Sequence, residues 1–321
     1  DDKPPKSFPA KLTALLWRRY QLGLPGFIIL SCELIDRNGD ALRDCVLKYC
    51  DLWQLGDGFR EWIEKENHFC STLVDRICTG YPKEESERAE LSALCPGDKM
   101  IDTAEIFHLW VIEGNFEAEL PFKKAGINVV WTDNVDPYKK RKVRILNGAH
   151  TSMVLGAYLY GLRTVGECMR DKTTRAFLEA AVLGEILPTI GDTDDNREFA
   201  KAVFERFENP YIKHMLLSIA LNSVSKFKVR VLPTMLEYRE KFGKNPKALC
   251  FSIAALAAFY KKGEPKDSPE IMEFMKSASF YDILAAVELW DQDITCFYET
   301  AAPFYETIMN RPCEEWFKCV L

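Results

Sequence analysis

The chain has 321 residues, 47% of them hydrophobic, and a net charge of −6, with a pI near 5.5. That length suits two domains, or one large one, around a sizeable core, and the acidic balance argues against a general nucleic-acid binder. Eleven cysteines, an odd number with no tight Cys-x-x-Cys pair, read as reduced thiols of a cytosolic protein; Cys70 and Cys78 are too loosely spaced to be a zinc ligand set. No apolar run reaches about 18 residues and no signal peptide is recognisable, so neither a membrane span nor a membrane partner is expected.

The chain opens at Asp1 without a methionine, and Asp1 to Pro9 is a polar, proline-bearing lead-in. Ala10 to Tyr20 reads as an amphipathic helix with Leu12, Leu15, Leu16 and Tyr20 on one side. After a turn at Gly23 to Gly26, Phe27 to Cys32 is a continuous apolar run suited to a buried parallel strand. No Gly-x-Gly-x-x-Gly loop follows it, so this reads as the middle of an α/β domain. Asp40 to Trp53 is predicted helical, with a break at Gly56 to Gly58 and a shorter helix over Phe59 to Glu66. Phe69 to Ile77 alternates weakly, as a strand or a loop carrying Asp75 and Arg76. Lys83 to Met100 is a polar surface excursion. Glu105 to Glu113 and Gly126 to Thr132 read as strands, with Val129, Val130 and Trp131 in the core.

From Pro137 the pattern is helical. Lys142 to Leu162 is long and apolar at helical spacing; Gly148, Gly156 and Gly161 cost helix propensity there and read as positions of close packing or ligand approach. Further helices are predicted at Arg175 to Leu187, ended by Pro188, and at Asp195 to Phe207 and Ile212 to Ser223. The series continues with Leu232 to Phe242, Lys247 to Lys261, Pro269 to Lys276, Tyr281 to Leu289 and Phe297 to Asn310. The order, α/β and then all-helical, fits a nucleotide domain followed by a helical substrate domain.

The stretch Lys142-Val-Arg-Ile-Leu-Asn147-Gly-Ala-His150 concentrates the chemistry. On an α-helix Asn147 lies about 140° and His150 about 80° round from Lys142, with His150 about 12 Å along the axis. The three share one broad face. A lysine whose pKa is lowered by burial and by its neighbours Lys139, Lys140, Arg141 and Arg144 can act as a general acid/base, while an amide and an imidazole hold an oxygen on which charge develops. That suits carbinol–carbonyl interconversion by hydride transfer, which requires no metal. The same residues also fit a solvated basic helix start with a structural histidine. Ser225-Lys226-Phe227-Lys228-Val229-Arg230 sets three cations at alternating positions, either a carboxylate-binding group or an exposed basic edge. His214 reads as polar core.

Lys-x4-Asn-x-x-His after Pro-Tyr resembles the signature of the mannitol dehydrogenase family, the long-chain polyol and uronate dehydrogenases. Cys32-Glu-Leu-Ile-Asp-Arg-Asn-Gly39, Val74-Asp75-Arg76-Ile77 and Phe107-His-Leu-Trp-Val-Ile-Glu113 match as well. Glu33 to Gly39, Thr79-Gly-Tyr-Pro82 and Val129-Val-Trp-Thr-Asp133 are most similar to the branch that interconverts tagaturonate and altronate. The resemblance covers nearly the whole chain in the family's order.

It implies the C-terminal part of a Rossmann-type dinucleotide-binding domain over 1–130, its first half missing. A mainly α-helical catalytic domain over 131–321 follows, similar to that of 6-phosphogluconate dehydrogenase. It further implies an NAD-dependent oxidoreductase of hexuronate breakdown acting on a sugar acid, with Lys142, Asn147 and His150 catalytic. Lys226, Asp75 and Arg76 would lie at the substrate and Cys32 and Glu33 at the cofactor. Two positions depart from the pattern: Leu34 stands where polyol-oxidising relatives carry an Asn, and Lys139 where they often carry a Glu. Both weaken the case for mannitol. A fructuronate reductase, a mannitol-type dehydrogenase and a non-catalytic helical module without the phosphate loop remain open, as does the oligomeric state.

Overall fold

The computed structural model describes residues 5–82 and 84–320, with the Thr79 side chain outside the description. Residues 1–4 of the predicted lead-in and Lys83 of the predicted excursion lie outside the described residues. The chain divides into two compact units, Asp1–Lys139 and Lys140–Leu321; sequence alone put the change near residue 131.

In the first unit, α1 (Phe8–Gln21) starts where the Ser7 hydroxyl accepts the Ala10 N–H, an N-cap that satisfies an otherwise orphaned donor. It buries Leu16, whereas Leu15 is exposed. Leu15 does not join the apolar face because one α-helical step moves it 100° away from Leu16. The chain continues through β1 (Ile28–Leu30), α2 (Asn38–Leu52), α3 (Asp57–Glu66), β2 (His68–Cys70) and β3 (Thr72–Asp75). Next come β4 (Cys78–Gly80), α4 (Glu85–Leu94), β5 (Thr103–Ala104), β6 (Leu109–Glu113) and β7 (Val129–Thr132).

β1 pairs parallel with β2, β6 lies between antiparallel β3 and parallel β7, and β4 pairs antiparallel with β5. Strand β1 is shorter than the apolar run and only half-buried. Leu16, Val46, Cys50, Phe59 and Ile63 form the core beneath α1, α2 and α3. Cys70, Ile112 and Val129 form another, against which Trp131 packs. The polar stretch after Lys83 contains α4, which buries none of its side chains.

The segment α5 (Asp136–Lys142) runs into a π-helical turn, Val143–Asn147, and on into α6 (Gly148–Tyr160). The second unit continues with α7 (Val165–Arg170), α8 (Lys172–Glu179), a second π segment at Ala180–Ile186, α9 (Leu187–Ile190) and α10 (Asp194–Phe207). Then follow α11 (Leu216–Ile219), α12 (Ser223–Arg230), α13 (Leu232–Phe242), α14 (Lys247–Lys262) and α15 (Pro269–Ser277). The series closes with α16 (Phe280–Ala285), α17 (Val287–Trp290) and α18 (Tyr298–Asn310).

Helix α14 is the axis of this unit, buried from Ala248 to Tyr260 and packed against α6 and α18. Phe251 and Phe259 are fully buried, each worth about 1.5–3 kcal/mol of removed apolar surface. A Cβ on Gly156 would lie 3.1 Å from the Phe251 ring, so this glycine sets how closely α6 approaches α14. Gly161 has a different role: at φ 115° it ends α6 in the left-handed region.

Two predicted helices are corrected. Pro188 does not end its helix; it sits in the first turn of α9, just after the wide π segment, where a missing N–H costs little. Helix formation after Asn209-Pro210 is confined to α11. The preceding residues bond as extended chain, with Val165 N–H on the His214 carbonyl and a bridge between Thr164 and Met215.

Candidate active site

The π turn changes the geometry of the central motif. Its i→i+5 bonding, seen in the Gly148 N–H on the Val143 carbonyl, puts residue i+5 above residue i. Asn147 therefore comes round over Lys142, without the 140° offset of an α-helix, and His150 follows one α-turn later. On that spacing the three can share one side of the helix, as α-helical periodicity also allows. Gly148 sits in close approach: a Cβ there would lie 3.3 Å from the Arg230 carbonyl oxygen, a tight contact between the end of α12 and the start of α6.

His150 is 6% exposed. Its ring stacks on Phe207 at 4.0 Å and meets the His214 ring edge-on at 5.1 Å. Its Nε2 is buried without a hydrogen-bond partner among the described residues. Burial, then the proximity of His214, Arg230 and Arg206, holds its pKa well below the usual histidine value. The imidazole is thus neutral at pH 7 and can hydrogen-bond to an oxygen. One turn back, Asn147 is half-buried and its amide caps no backbone group. An orphaned buried nitrogen is costly unless something occupies it.

The basic neighbours of Lys142 do not form an open like-charge field. Arg144 is buried and donates to Thr234 Oγ1 and Glu237 Oε1, both at 2.8 Å. Lys140 also approaches Glu237, at 3.4 Å. Arg141 lies over the Phe199 ring, and Lys139 pairs with Asp36. Arg144 and Lys140 share Glu237 and Lys139 has Asp36, so the like charges near Lys142 in sequence are in part offset by carboxylates.

The Ser225–Arg230 stretch is helical, and its cations separate by face. Lys228 pairs with Asp291 at 2.6 Å. Lys226 and Arg230 are four residues apart and share the other face. Lys226 Nζ donates to the Ile219 carbonyl at 2.8 Å; burial first, then Arg230, lowers its pKa. Arg230 Nη1 reaches Thr151 Oγ1 at 3.5 Å. His214 and the buried Arg206, singled out by no sequence motif, enter this cluster through tertiary packing around His150.

In the first unit, the chain after β1 carries Cys32 and Glu33, both exposed. Buried Asn38 holds this loop. Its Nδ2 donates to the carbonyls of Glu33 and Thr72, and its Oδ1 accepts the Thr72 N–H at 2.8 Å. A Cβ on Gly39 would lie 2.5 Å from backbone atoms of Cys70 and Ser71. The Asn-Gly step therefore presses α2 onto the end of β2 and leaves Cys32 and Glu33 at the carboxyl end of a parallel strand, where open α/β sheets receive nucleotides. Asp75 ends β3 and is buried; Arg76 is exposed and donates from Nε to the Glu105 carbonyl at 2.9 Å. Leu34 is 96% exposed. Among the described residues no group of three or more His, Cys, Asp or Glu is placed to hold a metal ion.

Models of the mannitol dehydrogenase Rossmann domain and C-terminal domain match residues 2–124 and 134–303. An altronate oxidoreductase of Yersinia enterocolitica is 49% identical over 269 residues, covering 81% of this chain and 55% of that protein. One from Escherichia coli is 45% identical over 321 residues, covering 92% and 66%. The chain thus spans between half and two thirds of the length of these relatives. Among solved structures, a D-sorbitol dehydrogenase superposes with a TM-score of 0.81 at 21% identity, covering 98% of this chain and 67% of that one. A mannitol 2-dehydrogenase of Pseudomonas fluorescens, bound to NAD and D-mannitol, superposes at 0.75 with 24% identity, covering 98% and 66%. At these identities the superpositions show the fold: a Rossmann-like domain followed by a helical one.

Proposed function

This chain belongs to the mannitol dehydrogenase family, and from that premise we propose that the whole protein reduces D-tagaturonate to D-altronate with NADH, reversibly. The altronate oxidoreductases it resembles at 45–49% identity support the substrate, and the neighbour bound to NAD supports the cofactor. The observation that carries the chemistry is the orphaned Nε2 of neutral, buried His150, three residues along the same helical run from Asn147.

The reduced nicotinamide supplies a hydride to the keto carbon of the substrate. As the carbonyl oxygen gains negative charge, the Asn147 amide and the His150 imidazole hydrogen-bond to it. The Lys142 ammonium gives that oxygen its proton, leaving a neutral amine that solvent reprotonates. The balance is ketone, NADH and one proton to alcohol and NAD. Phe207 holds the imidazole by stacking on it, and burial keeps it uncharged, so the proton comes from Lys142.

Cys32 and Glu33, at the carboxyl end of β1, are the cofactor contacts of this reading, and Asp75 and Arg76 substrate-side positions. Lys226, with N–H groups beyond the one on Ile219, is a carboxylate contact. The free cysteines suit a reducing, cytosolic setting, and the cations at Lys226 and Arg230 favour a sugar acid over a neutral polyol. NADH oxidation by wild type and Lys142→Ala tests the assignment. The variant loses about 10²- to 10⁴-fold in kcat while substrate binding persists.

A further inference from the structure

Resting on that reading of the substrate, we propose that Arg230, alongside Lys226, recognises its acid end and supplies the discrimination. The guanidinium, beside His150 and at the Thr151 hydroxyl, receives the sugar carboxylate and so selects sugar acids over neutral ketohexoses. Position supports this first. Gly148 allows the end of α12 to lie against the start of α6, and the Arg230 side chain extends to Thr151, the residue after His150. With the reacting carbonyl oxygen at the orphaned His150 Nε2, the carboxylate four carbons further along the substrate would be the group to meet this guanidinium.

Charge supports it second. Every other cation of the α12 stretch has a counter-group: Lys228 has Asp291, and Lys226 has the Ile219 carbonyl and the influence of Asp267. Arg230 is withdrawn from water with no carboxylate paired to it among the described residues, and it stands four residues from Lys226 on the same helix face. Two like charges at this spacing, partly desolvated, are unfavourable in the empty protein. An arriving carboxylate relieves both costs and matches the planar guanidinium fork with two parallel hydrogen bonds, a geometry an ammonium cannot reproduce.

The test uses the intact enzyme and its Arg230→Met and Arg230→Lys variants. D-tagaturonate is compared with D-tagatose, which carries a hydroxymethyl in place of the carboxylate. For Arg230→Met, KM for tagaturonate rises on the order of 100-fold and the preference for tagaturonate over tagatose in kcat/KM falls by a similar factor, while KM for NADH stays at its wild-type value. Arg230→Lys retains charge without the fork and falls between; if the Met variant does not fold, a roughly tenfold loss of acid preference in the Lys variant decides. Equal losses on both sugars, unchanged kinetics, or a rise confined to the NADH KM (the guanidinium then serving cofactor phosphates) would each overturn the assignment. A wild-type enzyme that turns over neutral ketoses and not tagaturonate overturns the substrate reading and this inference together. Wild-type turnover of tagaturonate with unaltered discrimination in the variants overturns this inference alone.

Discussion

Replacing Glu185 with Gln removes the pH dependence of one local contribution to stability. Glu185 is 8% exposed. Its two carboxyl oxygens accept the Ala248 and Leu249 N–H groups at 2.8 and 2.9 Å, closing the start of α14, where Pro246 supplies no side-chain cap. Burial dominates and pushes the carboxyl pKa up to about 7, while the amides of Ala248, Leu249 and Lys247 pull it down by less.

The folded value lies above that of the unfolded chain, so between them the folded state keeps a proton that the unfolded state has lost. The contribution is neutral below the unfolded pKa, turns unfavourable as pH rises, and reaches its full cost above about pH 7. At about 1.4 kcal/mol per tenfold in proton affinity, that cost is on the order of 3 kcal/mol. Gln has the same shape and does not titrate. Urea unfolding followed by circular dichroism at pH 5 and pH 8 gives the stability difference between Glu185→Gln and wild type, in which other titrating groups cancel. The difference should move in favour of the Gln variant by on the order of 3 kcal/mol. A flat difference, or one moving toward wild type, would show that the amide hydrogen bonds outweigh burial and refute the reasoning.

Two further outcomes follow from the packing. His150, with its folded pKa depressed by burial, adds stability that is present above the ordinary histidine pKa and lost as pH falls below it; its ring resonances should not titrate between pH 6 and 8, and movement there would mean the site is open to water. Gly39→Ala places a Cβ 2.5 Å from the Cys70 and Ser71 backbone and should cost at least about 2 kcal/mol, whereas Gly184→Ala meets nothing within 4 Å and should be neutral or stabilising by up to about 1 kcal/mol; similar thermal shifts for the two would contradict this account of the Asn38–Gly39 step.

Much of the architecture was readable from periodicity, because most helices here carry local signals. Leu232–Phe242 starts at a proline and ends at Gly243, and its predicted bounds match those observed. What escaped the sequence depends on geometry without a residue code. The π turn at Val143–Asn147 contains no residue that marks it, so the wider turn does not show in the α-helical spacing. Pro188 looks like a terminator, and only the wide turn before it lets the helix continue. Lys226, Lys228 and Arg230 look alike as a run; Asp291, sixty residues further on, separates them. His214 and Arg206 belong to no motif and reach His150 by tertiary contact alone. The Asn147–His150 step was legible as a local helical spacing, and both residues do lie in one helical run.

The central claim is that Lys142 protonates a sugar-acid carbonyl oxygen held by Asn147 and His150. The most direct measurement is the rate of NADH oxidation by the intact protein with D-tagaturonate, fructuronate and fructose in parallel, for wild type and Lys142→Ala. The account predicts rapid wild-type turnover of tagaturonate and a kcat collapse in the variant with KM little changed. Wild-type turnover of fructose with none of the acids, or an unaltered kcat in Lys142→Ala, would contradict it.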